Sequence, residues 1–204
     1  MDSIVKNLIY EREILSIGET IINISLISVN YDFENYYLET TNRRYSLKIN
    51  KKSVDQCSVI NRMYNDIKFN PLTSREFYYS DPEILLMEYF QAESSDMRFL
   101  NQHIFGESIA KFHTKRESYY GYGYDTYIGS LLQENKMSQS WKKFYLNQRF
   151  DCLLSKMREA LSINSELNDK VLIVRDYIDR NLSEPSKSTL IHGDIWSGNI
   201  LVDN

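Results

Sequence analysis

The chain has 204 residues, 42% of them apolar, which is enough to bury a sizeable core and too much for a disordered tail. Its 24 Lys and Arg against 28 Asp and Glu give a net charge of −4 without any basic run, which argues against a nucleic-acid surface. No stretch is long and apolar enough to cross a membrane, the first residues carry Asp2, Lys6, Glu11, Arg12 and Glu13 rather than a signal core, and Cys57 and Cys152 lie far apart without a CxxC spacing. The expectation is a soluble, cytoplasmic protein with no membrane partner, no nucleic-acid partner, no disulfide framework and no zinc site.

Ile4, Val5, Leu8 and Ile9 recur at helical spacing and predict a short amphipathic helix ending before Gly18. From Ile22 the period changes to two, with Ile22, Ile24 and Leu26 separated by Asn23 and Ser25, as in a half-buried strand. Tyr36 to Thr40 reads as the next strand, Thr41-Asn42-Arg43 as its turn, and Tyr45, Leu47 and Ile49 alternate with Ser46 and Lys48 in the strand that follows. Residues 53–67 return to helical spacing, with Val54, Cys57, Ile60, Tyr64 and Ile67 on one face, Ser53 as N-cap and Asn70-Pro71 as the stop. Ile84 to Tyr89 is an apolar run of strand length.

After Phe90 the pattern is helical. Ser94, Ser95 and Asp96 offer caps to a helix with Leu100, Ile104, Ile109 and Phe112 on one stripe. A Tyr/Gly loop over 118–130 leads to a helix over 140–161 and to another carrying Leu167, Val171, Val174 and Ile178, closed by Pro185. A short β-rich run, Thr189 to Asp194, and then Ile200-Leu201-Val202 end the chain. The organisation is a β lobe before a helical lobe.

The stretch His192-Gly193-Asp194-Ile195-Trp196-Ser197-Gly198-Asn199 has the spacing of a phosphotransfer loop. Phosphoryl transfer needs an acid to receive the acceptor hydroxyl's proton and an oxygen ligand for Mg²⁺, roles that suit Asp194 and Asn199. It also needs an upstream strand lysine for the phosphates, and Lys48 follows the Gly18 turn in the required order. The competing readings are an Asx-rich surface turn for the loop and a solvated strand lysine for Lys48. His192 fits loop support by hydrogen bonding, and His113 a packed or capping helix end.

These motifs resemble the fructosamine kinase (ketosamine-3-kinase) family within the aminoglycoside-phosphotransferase-like and protein-kinase-like superfamily. The Trp196-Ser197-Gly198-Asn199 ending of the loop is the most specific match. Gly121-Tyr122-Gly123-Tyr124-Asp125-Thr126-Tyr127-Ile128-Gly129-Ser130 resembles a second signature, followed by Trp141, Phe144 and Arg149. The resemblance implies an α+β, bilobal protein-kinase-like fold, with a nucleotide-binding lobe over 1–89 and a helical lobe over 90–204 that stops short of the family's later helices. It implies ATP under the Gly18 turn, Lys48 on its phosphates, adenine at the hinge backbone near Glu88 and Tyr89, Asp194 as catalytic base, Asn199 on Mg²⁺ and Trp196 as a wall of the acceptor pocket. The acceptor it implies is a ketosamine, a sugar adduct on a free amine or protein lysine, phosphorylated at a sugar hydroxyl and thereby deglycated. Asp125 is left between binding an acceptor amine and capping a turn.

Three departures stand out. The turn has one glycine, residues 53–68 hold no Glu for Lys48 and leave Asp55, Gln56 or Asp66, and the sequence ends before the family's second metal-binding aspartate. A kinase of another small acceptor, such as an aminoglycoside or choline, and a non-catalytic nucleotide-binding module are the alternatives. A metallohydrolase on His192 and Asp194 is disfavoured, since His103 and His113 lie at no ligand spacing from them. The helices over 140–161 and 166–181 are expected to expose apolar faces.

Overall fold

In the computed structural model, residues 2–52, 54–67, 75–91, 101–160 and 164–200 are described. They form two compact units, Met1–Ala110 with His192–Asn204, and Lys111–Ile191. The sequence places a single boundary after residue 89; the compact units divide in the last turn of a helix and again just before His192, because the 192–200 loop packs with the first unit.

The first unit is built on a five-stranded antiparallel sheet ordered β1-β2-β3-β5-β4, with β1 at Ile21–Val29, β2 at Phe33–Thr40, β3 at Arg44–Asn50, β4 at Phe77–Ser80 and β5 at Ile84–Glu88. Helix α1 (Asp2–Glu11) supplies Val5 and Ile9 to one face, where they pack with Ile14, Ile24, Tyr36, Leu38, Tyr45, Leu47, Ile84 and Leu86. Helix α2 (Gln56–Ile67) covers part of the other face, where Cys57 joins Phe33, Leu85 and Met87. The uninterrupted apolar run of β5 follows from this: Ile84 and Leu86 serve the α1 side, Leu85 and Met87 the α2 side. Burying each such side chain stabilises the fold by about 1.5–3 kcal/mol.

β1 departs from its sequence pattern. Only Ile24 is buried, while Ile22 is 62% exposed, because β1 is an edge strand whose register slips at Ile21/Asn23 and Leu26/Ser28. β4 is not foreseen from the sequence, although Phe77-Tyr78-Tyr79 carries strand-forming aromatics. Arg12 ties the end of α1 to the β4–β5 turn, donating to Asp81 Oδ2 at 2.7 Å and Glu83 Oε2 at 2.5 Å. The expected caps Ser53, Ser94, Ser95 and Asp96, with Asn70-Pro71 and Leu100, lie outside the described residues. The helix they announce runs as α3 (Gln102–Phe112), and Asn101 Oδ1 caps it by accepting from His103 N and Ile104 N at 3.2 Å.

The second unit contains the β6–β9 pair (Arg116–Glu117 with Ser188–Thr189) and the β7–β8 hairpin (Thr126–Ile128 with Leu131–Gln133). The 140–161 helix is observed as α4 (Trp141–Tyr145), a π turn (Leu146–Phe150) and α5 (Asp151–Ala160) in succession. Ser140 caps α4 by accepting from Lys143 N at 3.1 Å, and Glu184 accepts from Trp141 N at 2.8 Å. Helix α6 (Ser165–Asn181) has no buried residue, though Arg175 grips Asp151 of α5 through two 2.8 Å bonds. Phe150, Leu153, Leu154, Met157, Leu167, Val171 and Val174 line an apolar groove, so the expected exposed faces are present. Among the described residues, no helix is long and apolar enough to cross a membrane.

Candidate active site

Lys48 lies on β3 between Leu47 and Ile49, so the strand's alternation turns it away from the α1 core. It is not a solvated strand lysine. It is half-buried, its ammonium lies 4.9 Å from the Phe33 ring centroid, and burial holds its pKa below the ordinary lysine value, with the charge of Arg75 adding to that effect. The neighbouring Cys57 thiol is pushed up to about 12 by burial, despite the nearby lysine charge, which leaves it unreactive at neutral pH.

The helix residues weighed as a partner for Lys48 do not supply one among the described contacts. Asp55 and Asp66 are exposed. Gln56 is buried and accepts instead from Asn50 Nδ2 at 2.9 Å, fixing the start of α2 against the end of β3.

Gly18 adopts φ +82 in open space, just before β1. Glu19 beside it is buried, accepting from Tyr45 OH at 2.8 Å and from Thr40 Oγ1, while Thr41 N donates to Thr20 O at 2.9 Å. This turn is therefore fastened to the sheet end that carries Thr40, Tyr45 and Glu88. Ile21 pairs with Thr40 and Lys48 with Asn35, five residues apart along β2, or roughly 17 Å at a strand's rise. Gly18 and Lys48 are not brought together.

The turn at Lys48's end of the sheet is Asn30-Tyr31-Asp32, between β1 and β2. Asn30 Oδ1 accepts from Asp32 N at 3.0 Å and Phe33 N at 2.7 Å, an Asx turn that uses the amides a glycine-rich loop would leave for phosphate. Lys51 Nζ donates to Asn30 O, and Lys52 sits 3.3 Å from Asp32 Oδ1 and over the Tyr31 ring. Only the β1–β2 pairing identifies this turn.

At the segment expected to be the hinge, Glu88 pairs with Tyr45, its N–H donating to Glu76 O at 2.8 Å, while Tyr89 N donates to Arg44 O at 3.4 Å. The Tyr89 ring meets Tyr37 edge to face at 4.8 Å.

The 192–200 loop closes on itself. Asn199 Nδ2 donates to Asp194 Oδ2 at 2.6 Å and Asp194 O at 3.0 Å, His192 Nδ1 accepts from Asp194 N at 3.3 Å, and Gly193 takes φ +84, where a Cβ would be strained. Ser197–Asn199 forms a 3₁₀ turn, with Trp196 extended before it and 59% exposed. Asp194 and Asn199, five positions apart, are thus brought into contact.

In the second unit, Asp125 Oδ1 accepts from Asn135 N at 2.9 Å, and the side chain is exposed. The buried Asn135 donates to Tyr124 O at 3.0 Å and Thr126 Oγ1 at 2.9 Å, and Arg149 reaches from the π turn to Asn135 Oδ1 at 2.5 Å and Glu134 O at 2.7 Å. Gly121 has φ +123, and a Cβ there would lie 2.9 Å from Asn135 O. The Gly121–Asp125 loop is therefore clamped to the 134–136 segment. Asn135 carried no signal in the sequence.

Residues 13–204 match the profile of the fructosamine kinase family. The chain belongs to that family. A relative named a probable ketoamine kinase, from Enterococcus faecium, is 28% identical over 177 residues, covering 83% of this chain and 61% of the relative. The chain thus spans less than two thirds of that relative's length. A solved structure described as a fructosamine-3-kinase of Thermobifida fusca superposes with a TM-score of 0.74 at 20% identity, over 98% of this chain and 69% of that one. An aminoglycoside phosphotransferase solved with AMP-PNP and hygromycin B superposes with a TM-score of 0.59 at 13% identity, over 98% of this chain and 67% of that one. The fold is α+β and of the aminoglycoside-phosphotransferase, kinase-like kind.

Proposed function

We propose that this family member transfers the γ-phosphoryl group of ATP to a sugar hydroxyl of a ketosamine, on a free amine or a protein lysine, with deglycation as the consequence. The observation that carries the reading is the paired Asp194 and Asn199 in a loop held by Gly193 and His192. In this reading Asp194 receives the acceptor hydroxyl's proton as the oxygen attacks phosphorus, and Lys48 neutralises the phosphates. Its partial burial strengthens that attraction, because a half-desolvated ammonium gains more from an anion than a hydrated one. The backbone near Glu88 and Tyr89 meets the base, and Trp196 walls the acceptor. Asp125 supports its loop as a cap. The nucleotide-binding lobe is taken as 1–89 and the acceptor lobe as 90–204.

The oxygens available on Asp194 and Asn199 suit a hard divalent cation. Magnesium, when bound, would neutralise charge developing on the phosphates. The covering turn in this proposal is Asn30–Asp32 rather than Gly18, since it adjoins Phe33 and Lys48.

The engaged amides of that turn favour one second reading, a nucleotide-binding module without turnover. ADP release from Mg·ATP, measured with a ribulosyl-amine acceptor and with Asp194→Asn as blank, separates the two. Acceptor-dependent ADP that falls by at least about 100-fold in Asp194→Asn supports the kinase. Nucleotide binding with no ADP from any ketosamine supports the silent module.

A further inference from the structure

The face of the sheet that carries Lys48 has a second chemical feature, at the end opposite the Asn30–Asp32 turn. Ser46 lies two residues before Lys48 on the same face, and its cross-strand neighbours are Tyr37 on β2 and Met87 on β5. Tyr89, two residues after Met87, continues the strip and sets its ring against Tyr37 at 4.8 Å with an interplanar angle of 74°. Tyr37, Ser46 and Lys48 are all half-buried. Helix α2 packs on this face through Cys57, which clusters with Phe33, Leu85 and Met87. Along this strip the Tyr37 ring stands at one end and the partly desolvated Lys48 ammonium at the other.

The spacing between the two suits a nucleotide. Tyr37 is directly opposite Ser46, so its Cα stands one strand over and two residues back from Lys48, about 8 Å away. A purine on the ring could place its phosphates at the ammonium without leaving the face. The N–H groups of Glu88 and Tyr89 already donate to Glu76 O and Arg44 O, so a base that meets the backbone there gains from a second contact on the sheet face.

We propose that Tyr37 is the stacking platform for the nucleotide's base, with Tyr89 bracing its ring from the hinge. This deepens the kinase reading and rests on it. An aromatic face held edge-on by a second ring loses little freedom on binding, so the contact favours any ligand with a flat π-system next to a polyphosphate. Ser46 is small enough to leave the ring's neighbourhood open, and Lys48 supplies the charge that a base alone would not seek.

The test compares Mg·ATP with Mg·tripolyphosphate, which keeps the anion and lacks the base, in titrations of the full chain and its variants. Tyr37→Ala is expected to weaken ATP binding by about tenfold or more, the range of base–aromatic stacking, and to leave tripolyphosphate binding unchanged. Tyr37→Phe, which keeps the ring and loses the hydroxyl, should bind ATP within about threefold of the unaltered chain, and Lys48→Met should lose both ligands. Equal ATP binding by Tyr37→Ala and the unaltered chain would overturn the platform. So would a parallel loss of both ligands in Tyr37→Ala, which marks a collapsed face rather than a missing ring. If the unaltered chain binds tripolyphosphate but not ATP, the platform fails while the anion site stands; if it binds neither, the kinase reading fails first.

Discussion

At the scale of single residues, two glycines carry backbone shapes that other residues resist. Gly193 turns the loop so that Asp194 and Asn199 meet. Gly121 is more constrained, because its positive φ coincides with a backbone carbonyl at 2.9 Å from the place of a Cβ. Gly121→Ala is expected to cost about 1–3 kcal/mol, and a thermal melt followed by circular dichroism checks it. An unchanged melting temperature would mean that the clamp of Asp125, Asn135 and Arg149 yields freely. Arg149 itself is held over Phe144 with its centroid distance at 4.6 Å, and burial holds its guanidinium below the ordinary value. Phe144 and Arg149, which follow the second signature, thus contact each other. Lys48 was visible in the sequence by its order and its strand phase; its desolvation was not, since that depends on Phe33 and Cys57 arriving from two other elements.

At the scale of elements, the clearest electrostatic link is Arg12 between Asp81 and Glu83. Burial alone would raise the Asp81 carboxyl, but the Arg12 guanidinium, the N–H groups of Glu83 and Ile84 and the Tyr79 hydroxyl outweigh it and hold the pKa below the usual value. A carboxylate depressed in the folded state contributes stability above its unfolded pKa of about 4 and loses it as pH falls through the folded value. Arg12→Ala should therefore cost about 1 kcal/mol near pH 7, a figure reduced for the arginine's partial exposure, and progressively less below about pH 4. Denaturant melts at pH 7 and pH 3 decide it; an equal cost at both would assign Arg12 a packing role. Edge position likewise governs β1. Period-two spacing promised a buried Ile22 and Leu26, but the strand is at an edge and two register slips rotate its side chains.

For the molecule as a whole, the two compact units should respond separately to local damage. Hydrogen exchange in Arg12→Ala is expected to accelerate in α1 and the β4–β5 turn and leave β7, β8 and α4 unchanged, with the reverse pattern in Gly121→Ala. Acceleration spread evenly through both units in either variant would show that they unfold as one. The apolar groove between α5 and α6 belongs to the second unit, whereas Lys48 and the 192–200 loop belong to the first.

The order of most strands and helices, the strand phase of Lys48 and the spacing from His192 to Asn199 are legible along the chain. These are written in local periods and short intervals, which the chain's own geometry enforces. Which turn stands beside Lys48 depends on long-range contacts, because strand pairing rather than glycine content places Asn30–Asp32 there and Gly18 at the other end; pairing across the sheet settles other roles as well. Tertiary contacts also decide that Gln56 serves Asn50, that Asp125 caps its own loop and that Tyr37 shares a face with Lys48, since each depends on partners distant in sequence. Local chemistry proposes such roles, and pairing register assigns them, because a side chain's neighbours across a sheet are fixed by hydrogen bonds that no single segment contains.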